Sequence, residues 1–124
     1  MDGIRLNSLT TQEMNALNDY AIALQSHFAD QLVDLLLFGS KARGDDQPDS
    51  DVDVIVVLQN PTTKALSYAR ALGFDILMAH QVFLSIRVMS RQQLQELARI
   101  NSLFYRHLRQ DGISFLPTST ATLS

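Results

Sequence analysis

A chain of 124 residues, 46% of them hydrophobic and none of them cysteine, has room for one layered core, because a domain of this size buries roughly two-thirds of the surface that its unfolded chain exposes. The missing cysteines exclude disulfides and thiolate metal sites, and no apolar run approaches the roughly 20 residues that span a bilayer. The first ten residues hold no basic stretch followed by an apolar segment, so a soluble cytoplasmic protein is the default expectation.

The formal net charge of -3 is unevenly placed. Asp45, Asp46, Asp49, Asp51 and Asp53 are five of the thirteen acidic residues within nine positions. Like charges so crowded repel one another unless cations or solvent separate them, which points to a metal site or a solvated turn. The basic residues Arg87, Arg91, Arg99, Arg106 and Arg109 are instead scattered over the last third of the chain, without the clustered stripe of a duplex binder. Nucleic acid is not an expected partner.

In chain order, Thr10-x-x-Glu13 has the form of a capping box, and Met14, Leu17, Ala21, Leu24 and Phe28 then recur at helical spacing, which predicts a helix over 11–28. Residues 32–38 form a short apolar run ending at Gly39, which reads as a buried strand. Residues 41–50 are polar and punctuated by Gly44 and Pro48, as in a helical turn followed by a loop. The β-branched run 51–58 predicts a second strand. Asn60-Pro61 signals a helix start, with the helix continuing through Leu77 and weakened at Gly73. Residues 82–89 predict a third strand, and Ser90-x-x-Gln93 caps a helix carrying Leu94, Leu97 and Ala98. A last helix over 102–110 and a short strand over 113–116 follow. The Thr/Ser-rich segment 117–124 has little to pack and reads as a flexible tail behind a single domain of residues 1–116. Helices that alternate with strands in this order imply an α/β (α+β) sandwich around a small mixed β-sheet.

Candidate chemistry concentrates between residues 38 and 53. Alternation along a strand puts Asp51 and Asp53 on one face, with Val52 and Val54 on the other. Such a carboxylate pair suits Mg²⁺, which binds through one or two carboxylates plus substrate phosphates. Gly39 lets the chain turn tightly after the first strand, and Ser40 then opens a turn whose N–H groups and hydroxyl can hold phosphate oxygens. Lys41 and Arg43 are near enough in sequence to add positive charge, with one of them facing the site. Either element alone is commonplace, a turn or a solvated strand edge. Gly-Ser followed after ten residues by Asp-x-Asp is expected by chance in roughly one chain of this length in several hundred, which favours a site.

Gly39-Ser40, ten intervening residues and Asp51-x-Asp53, with Ala42-Arg43-Gly44 and Ser50 between them, resemble the signature of the DNA polymerase beta-type nucleotidyltransferases. They resemble most the minimal members paired with HEPN-domain proteins in toxin-antitoxin modules. The resemblance spans residues 32–116 and includes a closing Arg109-Gln-Asp-Gly-Ile-Ser-Phe115. It implies the polymerase beta-like nucleotidyltransferase fold, and transfer of a nucleoside monophosphate from a nucleoside triphosphate to a hydroxyl with the help of Mg²⁺. As a chain of this size leaves no further domain to bind an acceptor, the expected reaction is transfer of AMP from ATP to a hydroxyl on a partner protein. By the same carry-over, Gly39, Ser40 and Arg43 hold the nucleoside triphosphate, while Asp51 and Asp53 are catalytic and bind metal.

The chain departs from that pattern at one position. Members of the family usually carry a third carboxylate on a later strand, and counting back from Ser90 puts Ser85 there. A neutral hydroxyl is a poor replacement. Either a partner supplies the base, or Asp75 or His80 reaches in, or the protein is a catalytically weak nucleotide-binding or antitoxin subunit. The isolated histidines His27, His80 and His107 show no zinc spacing and read as surface or helix-end residues. Tyr68, Phe104 and Tyr105 sit at helical spacing among apolar neighbours and are expected in the core. Arg99, Arg106 and Arg109 read as a solvated helix face.

Overall fold

Thr10 and Glu13 cap the first helix reciprocally. The Glu13 N–H donates to the Thr10 hydroxyl and the Thr10 N–H to the Glu13 carboxylate, both at 3.0 Å. A computed structural model describes residues 9–39 and 51–116. Its elements are α1 (Thr11–Phe28), a 3-10 turn (Ala29–Gln31), β1 (Leu32–Phe38), β2 (Val52–Leu58), α2 (Thr63–His80), β3 (Leu84–Ser90), α3 (Arg91–Arg99), α4 (Leu103–Asp111) and β4 (Ile113–Ser114). Kinds and order are those expected from the sequence. The segments read there as a turn and loop over 41–50 and as a tail over 117–124 lie outside the described residues.

Several boundaries differ, each for a local reason. Asp51 precedes β2, which begins at Val52. Helix α2 is capped by Thr62, whose hydroxyl accepts from the Ala65 N–H at 3.0 Å, and not by Asn60. The Asn60 N–H instead donates toward the Gln31 side chain at 3.4 Å, so Asn60-Pro61 belong to the turn leaving β2. Gly73 does not interrupt α2. A Cβ on it would lie 2.3 Å from Cδ1 of Ile86, so the glycine marks where the helix approaches β3 most closely. β3 starts two residues later than expected and ends on Ser90, which doubles as the N-cap of α3. β4 is shorter than expected, with only Ile113 and Ser114 in the ladder.

The sheet order is β3-β2-β1-β4. β1 runs antiparallel to β2 and to β4, and β2 runs parallel to β3. A parallel pair needs a crossover between its strands, which α2 supplies. On one face, Leu35, Leu37, Val52, Val54, Val56 and Leu58 pack with Leu17, Tyr20 and Leu24 of α1 and Ala69 and Ile76 of α2. On the other face, Leu36, Ile55, Val57 and Met89 pack with Leu94 of α3 and Leu108 of α4. β2 is therefore covered on both sides, which is why its sequence is almost continuously apolar.

Two polar contacts pin this packing. The Tyr20 hydroxyl donates to the Ala69 carbonyl at 2.9 Å, joining α1 to α2, and burial pushes this phenol well above its usual pKa, so it remains a donor. Buried Asp34 accepts from the Leu35 N–H at 2.8 Å and from the Ser114 hydroxyl at 2.6 Å, fastening β4 to β1. Tyr68 departs from its expected core role: it is exposed, and its ring stacks on His27 with centroids 3.4 Å apart. Among the described residues no helix is long and apolar enough to cross a membrane.

Tyr20→Phe removes the buried contact between α1 and α2 while keeping the ring, and is expected to lower the unfolding free energy by about 1 kcal/mol. Urea denaturation of both proteins checks it, and an unchanged midpoint would show that the hydroxyl contributes nothing to helix docking.

Candidate functional site

The end of β1 and the start of β2 meet at Gly39 and Asp53. Gly39 has φ of 78°, a left-handed conformation that side chains oppose. A Cβ built on it would lie 2.6 Å from Oδ2 of Asp53, well inside van der Waals contact. The Asp53 carboxylate is thus seated directly against the backbone of the turn, in space left by the missing side chain.

Strand register fixes what stands beside it. Phe38 pairs with Asp53, and Asp53 pairs with Ser85. Because paired residues on neighbouring strands project to the same face, Phe38, Asp53 and Ser85 form one row across β1, β2 and β3. The row is on the side of the sheet that α3 and α4 cover, since Ile55 and Val57, two and four residues beyond Asp53, pack against those helices. Val52 is buried in the opposite layer. Asp51 is exposed, whereas Asp53 and Ser85 are half-buried, so the row opens to solvent at the Asp51 end.

Behind it lies a second row, Leu36, Ile55 and Arg87. The Arg87 guanidinium lies 5.4 Å from the centroid of the Phe104 ring, within the range of a cation–π contact. Phe104 in turn meets Phe38 edge-on, with centroids 6.0 Å apart and planes at 78°. An aromatic pair and a cation therefore back the Asp53–Ser85 row. On the outer side of β3, a cavity of about 350 Å³ is lined by residues that include Arg70, Phe74, Phe83 and Ser85.

Of the residues predicted from sequence, Gly39, Asp53 and Ser85 come together, with Gly39 and Asp53 in direct apposition, while Asp51 is exposed immediately before β2. Ser40, Lys41 and Arg43 lie outside the described residues. Asp75 and His80 are not brought to Asp53. Both belong to α2, which packs on the opposite face of the sheet; Asp75 is exposed, and His80 faces Asp19 of α1 at 2.7 Å. Arg87 and Phe104 were missed as site neighbours. Alternation from Ser85 carries Arg87 to the same face, a signal that was legible once Ser85 had been singled out.

Among the described residues no three histidine, aspartate or glutamate side chains gather as a metal-binding group. The Asp53 carboxylate is an oxygen donor of the kind that hard divalent cations take.

The family described as nucleotidyltransferase domain matches residues 21–106. Over 100 residues the chain is 28% identical to a Methanocaldococcus jannaschii protein to which protein adenylyltransferase activity is ascribed, covering 81% of this chain and 94% of that one. A Sulfolobus solfataricus protein assigned as a nucleotidyltransferase superposes with a TM-score of 0.53 at 18% identity, over 82% of this chain and 78% of its own. A chain from a toxin-antitoxin structure with AMP-PNP superposes with the same TM-score at 16% identity, over 82% and 74%. At these identities the two structures speak for the fold alone.

Gly39→Ala is expected to destabilise the protein by at least about 1 kcal/mol, from the left-handed backbone and the collision with the Asp53 carboxylate together. In an Asp53→Ala background the collision disappears and part of that penalty with it. A double-mutant cycle by urea denaturation measures the coupling; strictly additive effects would contradict the close approach of the two residues.

Proposed function

We propose, for a chain that belongs to the nucleotidyltransferase-domain family, that it transfers AMP from ATP to a hydroxyl on a partner protein. The observation that carries this reading is the seating of the Asp53 carboxylate against the Gly39 turn, with exposed Asp51 two residues before it in the chain. A phosphate-binding turn and a carboxylate pair then face one polyphosphate from two sides.

In this reading the turn at Gly39 and Ser40 holds the triphosphate through N–H groups and the serine hydroxyl, with Arg43 adding positive charge. Asp51 and Asp53 are the residues that would hold Mg²⁺, which when bound supplies charge neutralisation for the reacting phosphates. The acceptor oxygen attacks the α-phosphorus, the bond to the bridging oxygen breaks and pyrophosphate leaves. Ser85 stands beside Asp53 on β3 and is too weakly basic to take the acceptor's proton, so the base arrives with the acceptor protein. Support for a protein acceptor comes from the activity ascribed to the Methanocaldococcus jannaschii relative. Support for a toxin-antitoxin setting comes from the assembly named for the AMP-PNP structure. The proposed partner is a HEPN-domain toxin, and the proposed compartment is the cytoplasm.

A second reading draws on the same Ser85. With a hydroxyl opposite Asp53, the protein binds Mg²⁺-nucleotide and acts on its partner by contact, with little turnover.

Co-expression with the product of the neighbouring gene, followed by intact mass spectrometry of both chains, separates the two. Transfer predicts a partner heavier by one or more AMP groups, unmodified when Asp53→Asn replaces the parent. Ser85→Asp is expected to raise the extent of modification, since general-base help is worth roughly 10²–10⁴-fold in rate. An unmodified partner with both the parent and the Ser85→Asp protein, in a complex that still forms, would leave the contact reading in place and end the transfer reading.

A further inference from the structure

β3 brings a second functional group to the row that contains Asp53. Ser85 and Arg87 lie on the same face of the strand, with Arg87 opposite Ile55, one row beyond the Asp53–Ser85 pair. Arg87 is exposed, yet its guanidinium is held in place over the Phe104 ring, and that ring rests on Phe38, the β1 partner of Asp53. Among the described residues no carboxylate forms an ion pair with it. A guanidinium over an aromatic ring still has N–H donors to offer an anion.

We propose that Arg87 binds the α-phosphate of the nucleotide. This inference rests on the nucleotide-binding reading above and extends it by one residue. In this arrangement the Gly39 turn, on the β1 side of Asp53, takes the distal phosphates, and Arg87, on the β3 side, takes the α-phosphate. In phosphoryl transfer, negative charge spreads over the non-bridging oxygens of the reacting phosphorus, and a fixed guanidinium at that point stabilises it without reorganisation. Arg87 would thus contribute charge compensation on the side of the site where related proteins place a third carboxylate.

The contact is separable from those of the turn, because AMP, ADP and ATP share adenosine and the α-phosphate and differ only in the distal phosphates. Binding of adenosine, which lacks the α-phosphate, should not change on substitution of Arg87. Calorimetric titration of each nucleotide with Mg²⁺ into the full chain, into Arg87→Gln and into Arg87→Lys tests it. Arg87→Gln is expected to weaken all three nucleotides by a similar factor, about tenfold for a lost charge-assisted contact. Arg87→Lys, which keeps the charge but not the planar fork, should lose less. Melting temperatures of the free proteins monitor the Phe104 contact, and a purely structural Arg87 would shift them while leaving the affinity of the folded protein unchanged. Unchanged affinities in Arg87→Gln, or a loss confined to ATP, would overturn the assignment while the nucleotide-binding reading stands. A parent protein that binds none of the three would remove both.

Discussion

The close approach of the β1 turn to the Asp53 carboxylate constrains the rest of the site. No residue with a side chain fits at Gly39 while Asp53 keeps its position, because the first atom added would lie 2.6 Å from the carboxylate oxygen. That approach depends on the antiparallel register in which Phe38 faces Asp53, and the parallel register of β2 with β3 then brings Ser85 to the far side of the same carboxylate. Three strands thus deliver a turn, a carboxylate and a hydroxyl to one line. A slip of one residue in either ladder would turn Asp53 away from its partners.

The two-layer packing makes that register dependable. β2 is buried on both faces, by α1 and α2 on one and by α3 and α4 on the other, so a one-residue slip would carry Asp53 into the position of Val52 or Val54 in the apolar layer under α1 and α2, without compensation. Within β2 only Asp53 is less than fully buried. Polar contacts of the core lie between Tyr20 and Ala69 and between Asp34 and Ser114.

Much of this was legible in the sequence because the relevant signals are local. Capping boxes at Thr10 and Ser90 gave two helix starts to the residue, since each is a reciprocal pair of hydrogen bonds within four positions. Counting back from Ser90 gave Ser85 as the neighbour of Asp53, which the ladder reproduces. What failed was non-local. Asn60 and Thr62 are both good caps, and the choice of Thr62 follows from the contact of Asn60 with Gln31, on a segment distant in sequence. Tyr68 looked like core from its spacing, yet it stacks on His27 of another helix, outside the packed layer. Gly73 looked like a weak point in α2 and is instead the place where the helix meets Ile86. Arg87 and Phe104 lie seventeen positions apart in a chain whose periodicity says nothing of their contact.

The fold is that of nucleotidyltransferases, but a fold does not by itself establish a reaction. The central claim is chemical: Asp51 and Asp53 together bind Mg²⁺-nucleotide. The most direct measurement is the affinity of the protein for ATP with Mg²⁺ and with chelator, repeated for Asp51→Asn and Asp53→Asn, whose amides keep the shape but not the charge of a metal ligand. Metal-dependent binding that each substitution weakens by at least about tenfold, the scale of one lost charge-assisted contact, is the predicted result. Binding that is indifferent to both the metal and the carboxylates would contradict it.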